Sequence, residues 1–332
     1  MAKLTRHGDT LLNATLDRLH ELYRENHVRQ GKLTSIAIKP RWIAITSSHH
    51  ECGIATNCVG INTMYGTEGT KAITNFHSCI GKPLFDLAKT GIESQDLHKR
   101  ALGIAALSAL SQKFLGCNGI RKRGYLSECW KASDDFVQDY PAISHIVNLD
   151  DIVAIAGYGS QISSLHAWCR ELHVINLRFP ETFETVTIDK ENSTMPGNIV
   201  CHTQPESEKI LGNADVVLLS TSTLVDNSFS RLLHAAKNAR LVGIYGVGAS
   251  LIPDAFFDEG VDFFSSFRIV DPVAFCVGMK NDNDMDYSMM NAQKQYLMMR
   301  PQADIRDSPI AAFLRHSGTG EGKPDMAPEK CP

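Results

Sequence analysis

Asp151-Ile-Val-Ala-Ile-Ala-Gly157 decides how the rest of the chain folds. A short, near-continuous apolar run that ends in glycine is the pattern of a strand buried on both faces, as in a parallel sheet. The chain beyond Gly157 keeps the same grammar. A helix-like stretch from Ser163 to Leu172 leads to a second strand, His173-Val-Ile-Asn-Leu177. Asp215-Val-Val-Leu-Leu-Ser220 is a later strand, with a helix after it from about Ser228 to Asn238 and another strand, Ala239 to Tyr245. Apolar strands alternating with helices predict an α/β, Rossmann-like lobe with a mostly parallel sheet over residues 150–280.

Upstream the pattern differs. Leu11, Leu12, Leu16, Leu19, Leu22 and Tyr23 recur at three- and four-residue spacing, which predicts an amphipathic helix from Asp9 to about His27. Ser35 to Lys39 and Arg41 to Thr46 read as extended segments around Pro40, and Gly53 to Thr63 as a third strand loosened by glycines. Lys82 to Ala88 starts a short helix, and Ser94 offers an N-cap for a longer one through Phe114. Helix, strands and helices in blocks predict an α+β lobe over residues 1–125, joined by a linker at 126–149. Past 280 the chain turns polar. Tyr287 to Arg300 is expected as a methionine-rich helix, and 281–332 as a C-terminal extension ending in a flexible tail.

Composition limits the partners. The chain of 332 residues carries 33 basic against 37 acidic side chains, net -4, so no basic field exists to grip nucleic acid. The start of the sequence lacks an apolar signal core, and the longest weakly polar run, Ala101 to Leu110, is about half a bilayer span. A cytoplasmic protein with no membrane contact is expected. Its nine cysteines are odd in number and scattered, which favours reduced thiols.

Two sets of residues carry candidate chemistry. Gly157-Tyr158-Gly159-Ser160 comes after the first strand of the second lobe, where backbone N–H groups and a helix N-terminus would face a crevice. The dinucleotide fingerprint is incomplete, because Ile162 stands where its third glycine belongs. Ser220, Thr221, Ser222, Thr223 and Asp226 form a hydroxyl-rich loop after another strand, and Gly246-Val-Gly248-Ala-Ser250 comes after the next. These ends are suited to an anion or carboxylate ligand, or to N-capping and turn chemistry alone. The second set is Ser47-Ser48-His49-His50-Glu51-Cys52, with Cys58 and His77-Ser78-Cys79. Imidazole and thiolate donors suit zinc, copper, nickel or iron, so His50, Cys52, Cys58, His77 and Cys79 are candidate ligands. If residues 48–52 are extended, His50 and Cys52 share one face. A cysteine nucleophile assisted by histidine is a further use of the same side chains.

The order of these motifs resembles a known family. Ile155-Ala-Gly157-Tyr158, Ser220-Thr-Ser-Thr-Leu-Val-Asp226-Asn227-Ser228, Gly246 to Pro253, Gly260-Val-Asp262 and Asp271 resemble the heavy-metal chelation domain, domain of unknown function 364. Trp42-Ile-Ala-Ile, Gly53-Ile-Ala, Ile80 to Ala88 and Ala101 to Ala106 resemble its companion, domain of unknown function 4213, which has an enolase N-terminal-like fold. The resemblance implies an enolase-like lobe, a Rossmann-like lobe and a site between them. Asp226 and Val247 replace the family's usual asparagine and proline. The histidine-cysteine cluster is this chain's own addition. The expected function is binding or biosynthetic handling of a metal ion or metal-chelating small molecule in an interdomain cleft. Alternatives are a transferase or oxidoreductase using a nucleotide-derived cofactor, and a non-catalytic scaffold; a homo-oligomer is compatible with all three.

Overall fold

The structure is a computed structural model that describes residues 7–39, 42–58, 76–131, 143, 146–157, 162, 165–175, 198–202, 206–280 and 293–305. The N-terminal half contains α1 (His7–Glu25), β1 (Leu33–Ile38), β2 (Trp42–Ser47), β3 (Cys52–Thr56), α2 (Leu84–Ile92), α3 (Leu97–Ser111) and α4 (Cys117–Lys122). Then come β4 (Leu126–Lys131), β5 (Ile152–Ala156), β6 (Glu171–Ile175), β7 (Ile199–His202), α5 (Ser207–Gly212) and β8 (Val216–Ser220). The remainder is α6 (Ser222–Val225), α7 (Phe229–Ala235), β9 (Leu241–Tyr245), α8 (Asp254–Asp258), β10 (Phe263–Ile269), α9 (Pro272–Lys280) and β11 (Gln293–Met299).

β1, β2 and β3 form an antiparallel meander. The eight-stranded sheet runs β4-β11-β10-β9-β8-β5-β6-β7, and its six strands from β10 to β7 are parallel. Numbered along the chain from β5, these six lie in the order 3-2-1-4-5-6 read from the β7 edge. The direction of winding therefore reverses between β5 and β8, the position where doubly wound sheets open a ligand crevice.

α3 is the hub. Asp96 caps it by accepting from the N–H groups of His98 (2.9 Å) and Lys99 (3.1 Å). The Ser94 cap expected from sequence instead serves Asp96, whose N–H donates to Ser94 Oγ. Every residue from Arg100 to Ser111 is buried, so α3 is covered all round, as its alanine-leucine run allows. One hydrophobic cluster includes Leu12 and Leu19 of α1, Ile104 and Leu107 of α3, and Leu219, Ile244 and Phe264 of the large sheet. The two halves therefore share a core. The opposite face of the small sheet, with Trp42, Ala44, Cys52 and Ile54, packs on Ile269 and on Phe275 and Met279 of α9.

Two segments differ from expectation. β4 falls inside the expected linker and β11 inside the expected extension, yet both lie in the large sheet, antiparallel to each other. Of the expected methionine-rich helix, Gln293–Met299 is β11, and 287–292 lie outside the described residues. Leu297 and Met299 enter one core cluster and Met298 the other, so this strand is buried on both faces. A doubly buried strand has no alternation to distinguish it from a buried helix.

The His-His-Glu-Cys motif is a hairpin turn between β2 and β3, not an extended segment. His50 has φ +59°, and its N–H donates to the carbonyl of Ser47 (3.1 Å). Glu51 turns inward. Its carboxylate accepts from Tyr23 Oη (3.3 Å), the Gly31 N–H (3.0 Å) and the Ser47 hydroxyl, and Lys113 Nζ lies 3.0 Å away. Burial, then Glu51, raise the Tyr23 phenol far above its ordinary range, so it stays a donor. Glu51→Gln keeps the shape but replaces an acceptor oxygen with an NH₂ facing donors. Chemical denaturation should show a loss of about 1–3 kcal/mol; an unchanged midpoint would remove Glu51 as the clamp of this turn.

Candidate functional site

The carboxyl ends of β5, β8 and β9 present glycine, hydroxyls and glycine in turn. Gly157 has φ +109° and Gly246 φ +111°, conformations that L side chains rarely adopt. A Cβ on Gly157 would lie 2.4 Å from Ser220 Cβ, so β5 and β8 touch directly at the switch point. Between them the loop after β8 is organised by its own hydroxyls. The Thr221 N–H donates to the Tyr245 carbonyl (3.1 Å), the Ser222 N–H to Ser220 Oγ (3.3 Å), and the Thr223 hydroxyl to the Ser220 carbonyl (2.6 Å).

The end of β3 meets this loop. Thr56 Oγ1 lies 2.9 Å from Thr221 Oγ1, and Cys58 Sγ lies 3.9 Å from the Ser222 carbonyl. Arg100 of α3 donates to the Leu224 carbonyl (2.8 Å) and to Asn227 Oδ1 (3.1 Å). Ser220, Thr221, Ser222, Thr223 and Cys58 are buried, while Thr56, Gly157, Gly246 and Asp226 are half-buried and form the rim. Among the described residues the junction is therefore a packed seam with a polar floor, not an open cleft. Burial, then Asp226, raise the Cys58 thiol well above its ordinary range. A protonated thiol is a poor nucleophile and a poor metal ligand, which argues against the cysteine-nucleophile use of Cys58.

The residues expected from sequence thus divide. Ser220, Thr221, Ser222, Thr223, Gly157 and Gly246 gather at one place, joined by Cys58. Asp226 is tied locally: its Oδ1 accepts from the Ser228 N–H (2.9 Å) and hydroxyl (2.6 Å), a turn that leads into α7. Tyr158 and Gly159 lie outside the described residues.

The five candidate metal ligands are not brought together. Cys52 opens β3 and Cys58 lies two residues beyond its end; the rise from Cys52 to Thr56 alone is about 13 Å. Cys52 packs against α9, and burial, then Cys276, raise its thiol. His50 and His77 are exposed, and Cys79 packs at the edge of the main core. Among the described residues, no group of three or more His, Cys, Asp or Glu side chains is placed to hold a metal ion. None of the described helices is long and apolar enough to cross a membrane.

A cavity of about 1150 Å³ opens near the other ends of the strands, lined in part by Arg231, Arg240, Glu259, Asp262 and Arg300. Its arginines are engaged: Arg231 with Glu208, Arg240 with Asp151, and Arg300 with Asp262. It lies away from the switch point, where strand topology directs ligands, so the seam remains the stronger candidate.

Comparison with known proteins finds two stretches of the chain that match family models. Residues 172–282 match the family model described as "Putative heavy-metal chelation", domain of unknown function 364. Residues 21–111 match a second model with the same description, domain of unknown function 4213. An uncharacterized protein of Methanocaldococcus jannaschii is 26% identical over 180 residues, 54% of this chain. The match spans 58% of the length of that curated relative. A solved structure of unknown function from the 364 family of Desulfitobacterium hafniense DCB-2 is similar at TM-score 0.59 and 19% identity, over 86% of this chain and 100% of that one. Another from the same family, from Pyrococcus horikoshii, gives TM-score 0.59 and 17% identity, over 87% of this chain and 100% of that one. At such identities these two likenesses show the fold, an α/β arrangement, and nothing of its chemistry. The chain is thus similar over two separate stretches to the two models described as heavy-metal chelation, domain 4213 at residues 21–111 and domain 364 at residues 172–282.

Proposed function

We propose that the protein binds or processes a metal-chelating small molecule, or its metal complex, at the seam between the end of β3 and the carboxyl ends of β5, β8 and β9. The contact of Thr56 with Thr221 is the observation that carries this, because it joins the two matched regions at the switch point. Hydroxyls at Ser220, Thr221 and Ser222 supply neutral donors and acceptors suited to carboxylate or hydroxyl groups of a chelator. Positive-φ glycines at 157 and 246 let Ser220 and Thr221 press against the ends of β5 and β9, which gathers these hydroxyls at the strand ends. The meander and helices of the first half support an enolase N-terminal-like lobe, and the strand order supports a Rossmann-like one. That same order favours a second use of the seam, a nucleotide-derived cofactor serving a transferase or oxidoreductase.

Thermal-shift screening separates the two. Untagged protein is tested with Zn²⁺, Ni²⁺ and Cu²⁺ alone, with their citrate and histidine complexes, and with adenosylmethionine and dinucleotides. A ligand at 100 times its dissociation constant stabilises the fold by about 2.7 kcal/mol. Stabilisation by a metal complex, reduced about tenfold in affinity by Thr221→Val, is the expected result. Stabilisation by nucleotides alone would establish the second use and overturn the first.

A further inference from the structure

The two faces of β3 go to different partners. Gly53 and Ala55 face the main core, where Gly53 meets the main chain of α3. Alternation turns Cys52 and Ile54 the other way, onto α9. In α9, Pro272, Phe275, Cys276 and Met279 recur at the three- and four-residue spacing of one helix face. Phe275 and Met279 are buried on that face and Cys276 is half-buried, while Val273 and Val277 on the other are 68% and 52% exposed. One face of α9 therefore holds it to the small sheet.

Cys52 and Cys276 meet across this contact. Cys52 Sγ lies 4.0 Å from the Pro272 carbonyl oxygen. Cys276 is four residues further on, and a helical side chain leans back over the preceding turn, so its sulfur is carried toward that same carbonyl. The two thiols are hydrogen-bonding neighbours, and both cysteines are free. Access differs between them. Cys52 is 1% exposed, in the cluster of Trp42, Ala44, Ile54 and Phe275, whereas half-buried Cys276 presents part of its surface to solvent.

We propose that Cys52 and Cys276 are a reversible dithiol–disulfide site, oxidised by a peroxide, that clamps α9 to the start of β3. The Cys276 sulfur attacks one oxygen of hydrogen peroxide and the O–O bond breaks. Its thiol proton leaves with the departing oxygen as water, and a sulfenic acid remains. The Cys52 sulfur then attacks the Cys276 sulfur, the S–O bond breaks, and the hydroxyl leaves with the Cys52 proton as a second water. Two thiols and one hydrogen peroxide thus give one disulfide and two waters, and a dithiol reductant reverses the change. A disulfide brings the sulfurs to about 2 Å, which asks for a rotamer change and a small shift of a helix held by one face. The crosslink joins the two stretches that match family models, residues 21–111 and 172–282, and uses no residue of the seam.

Peptide mapping tests it. Untagged protein, reduced and freed of reductant, is treated with hydrogen peroxide in modest excess, its remaining thiols are alkylated in denaturant, and its peptides are weighed without reduction. The Cys52 and Cys276 peptides should appear joined, lighter than the separate pair by two hydrogens, and dithiothreitol should release them. Because the link closes a long loop, the melting temperature of the oxidised protein should rise by about 5 °C or more. Cys276→Ser changes one half-buried atom and should show neither the joined peptide nor the rise. Recovery of both cysteines alkylated, Cys276 joined to a different cysteine, or an equal rise in Cys276→Ser overturns the site. None of these results touches the seam.

Discussion

Gly53→Ala should cost the protein about 3 kcal/mol or more, and Gly53→Val should yield no folded chain. A Cβ on Gly53 would sit 2.0 Å from the Ala105 carbonyl oxygen and 2.4 Å from the Ala109 nitrogen, both main-chain atoms of α3. Neither is the end of a flexible side chain. Relief requires α3 to move away from β3, yet α3 is buried on every side and joins both halves of the core. Overpacking a well-packed core costs about 1–3 kcal/mol when side chains can yield, and more when only backbone can. Against a total stability of about 5–15 kcal/mol, the loss is large. Gly212→Ala is the control. Its Cβ meets only the Ala235 carbonyl oxygen at 3.6 Å, an ordinary contact, so its denaturant midpoint should hold or rise slightly. Equal midpoints for Gly53→Ala and wild type would mean that α3 does not press on β3.

Arg240→Ala should cost about 3–5 kcal/mol. The Asp151 side chain is 1% exposed and that of Arg240 8%. The guanidinium reaches both carboxylate oxygens, with Nε 3.1 Å from Oδ1 and Nη2 on Oδ2. It also donates to the carbonyls of Asp304 (2.7 Å) and Ile146 (3.3 Å). One side chain thus ties the start of β5 to the approach to β9 and to the segment after β11. Truncation strips a buried carboxylate of its counter-ion and leaves it the weaker support of neutral donors such as the Asn148 N–H at 2.7 Å. The double variant Asp151→Asn/Arg240→Ala should lose less than the sum of the singles, because the stranded charge is gone. Strict additivity in the cycle would show that the pair contributes no coupling.

Much of the fold is readable from local pattern, because buried parallel strands and an all-apolar helix announce themselves. The run from Ile152 to Ala156, the α3 segment and the strands ending at Ser220 and Tyr245 agree with the sequence pattern to within a few residues. β4 and β11 are different. Each is short, β4 pairs with β11 across more than 150 residues of sequence, and β11 pairs on its other side with β10, from Ile269 opposite Gln293 to Phe263 opposite Met299, so no local window contains either partnership. The hairpin at His50 escapes the pattern for a related reason. The motif's donor atoms suggest chemistry, while Glu51 serves Gly31, Ser47, Tyr23 and Lys113.

The candidate site divides along the same line. The hydroxyl loop and the glycines lie at strand ends, and strand ends are legible, so those residues stand out together. That Cys58 joins them while Cys52 goes to α9 depends on the course of β3, a tertiary fact.

The location of bound ligand is the most direct test of the proposed seam. A crystal structure of the protein with the metal complex that stabilises it most should show density bounded by Thr56, Cys58, Gly157 and the Ser220–Thr223 loop. Density confined to the cavity near Arg231 and Arg300, with the seam closed and unchanged, would contradict the proposal.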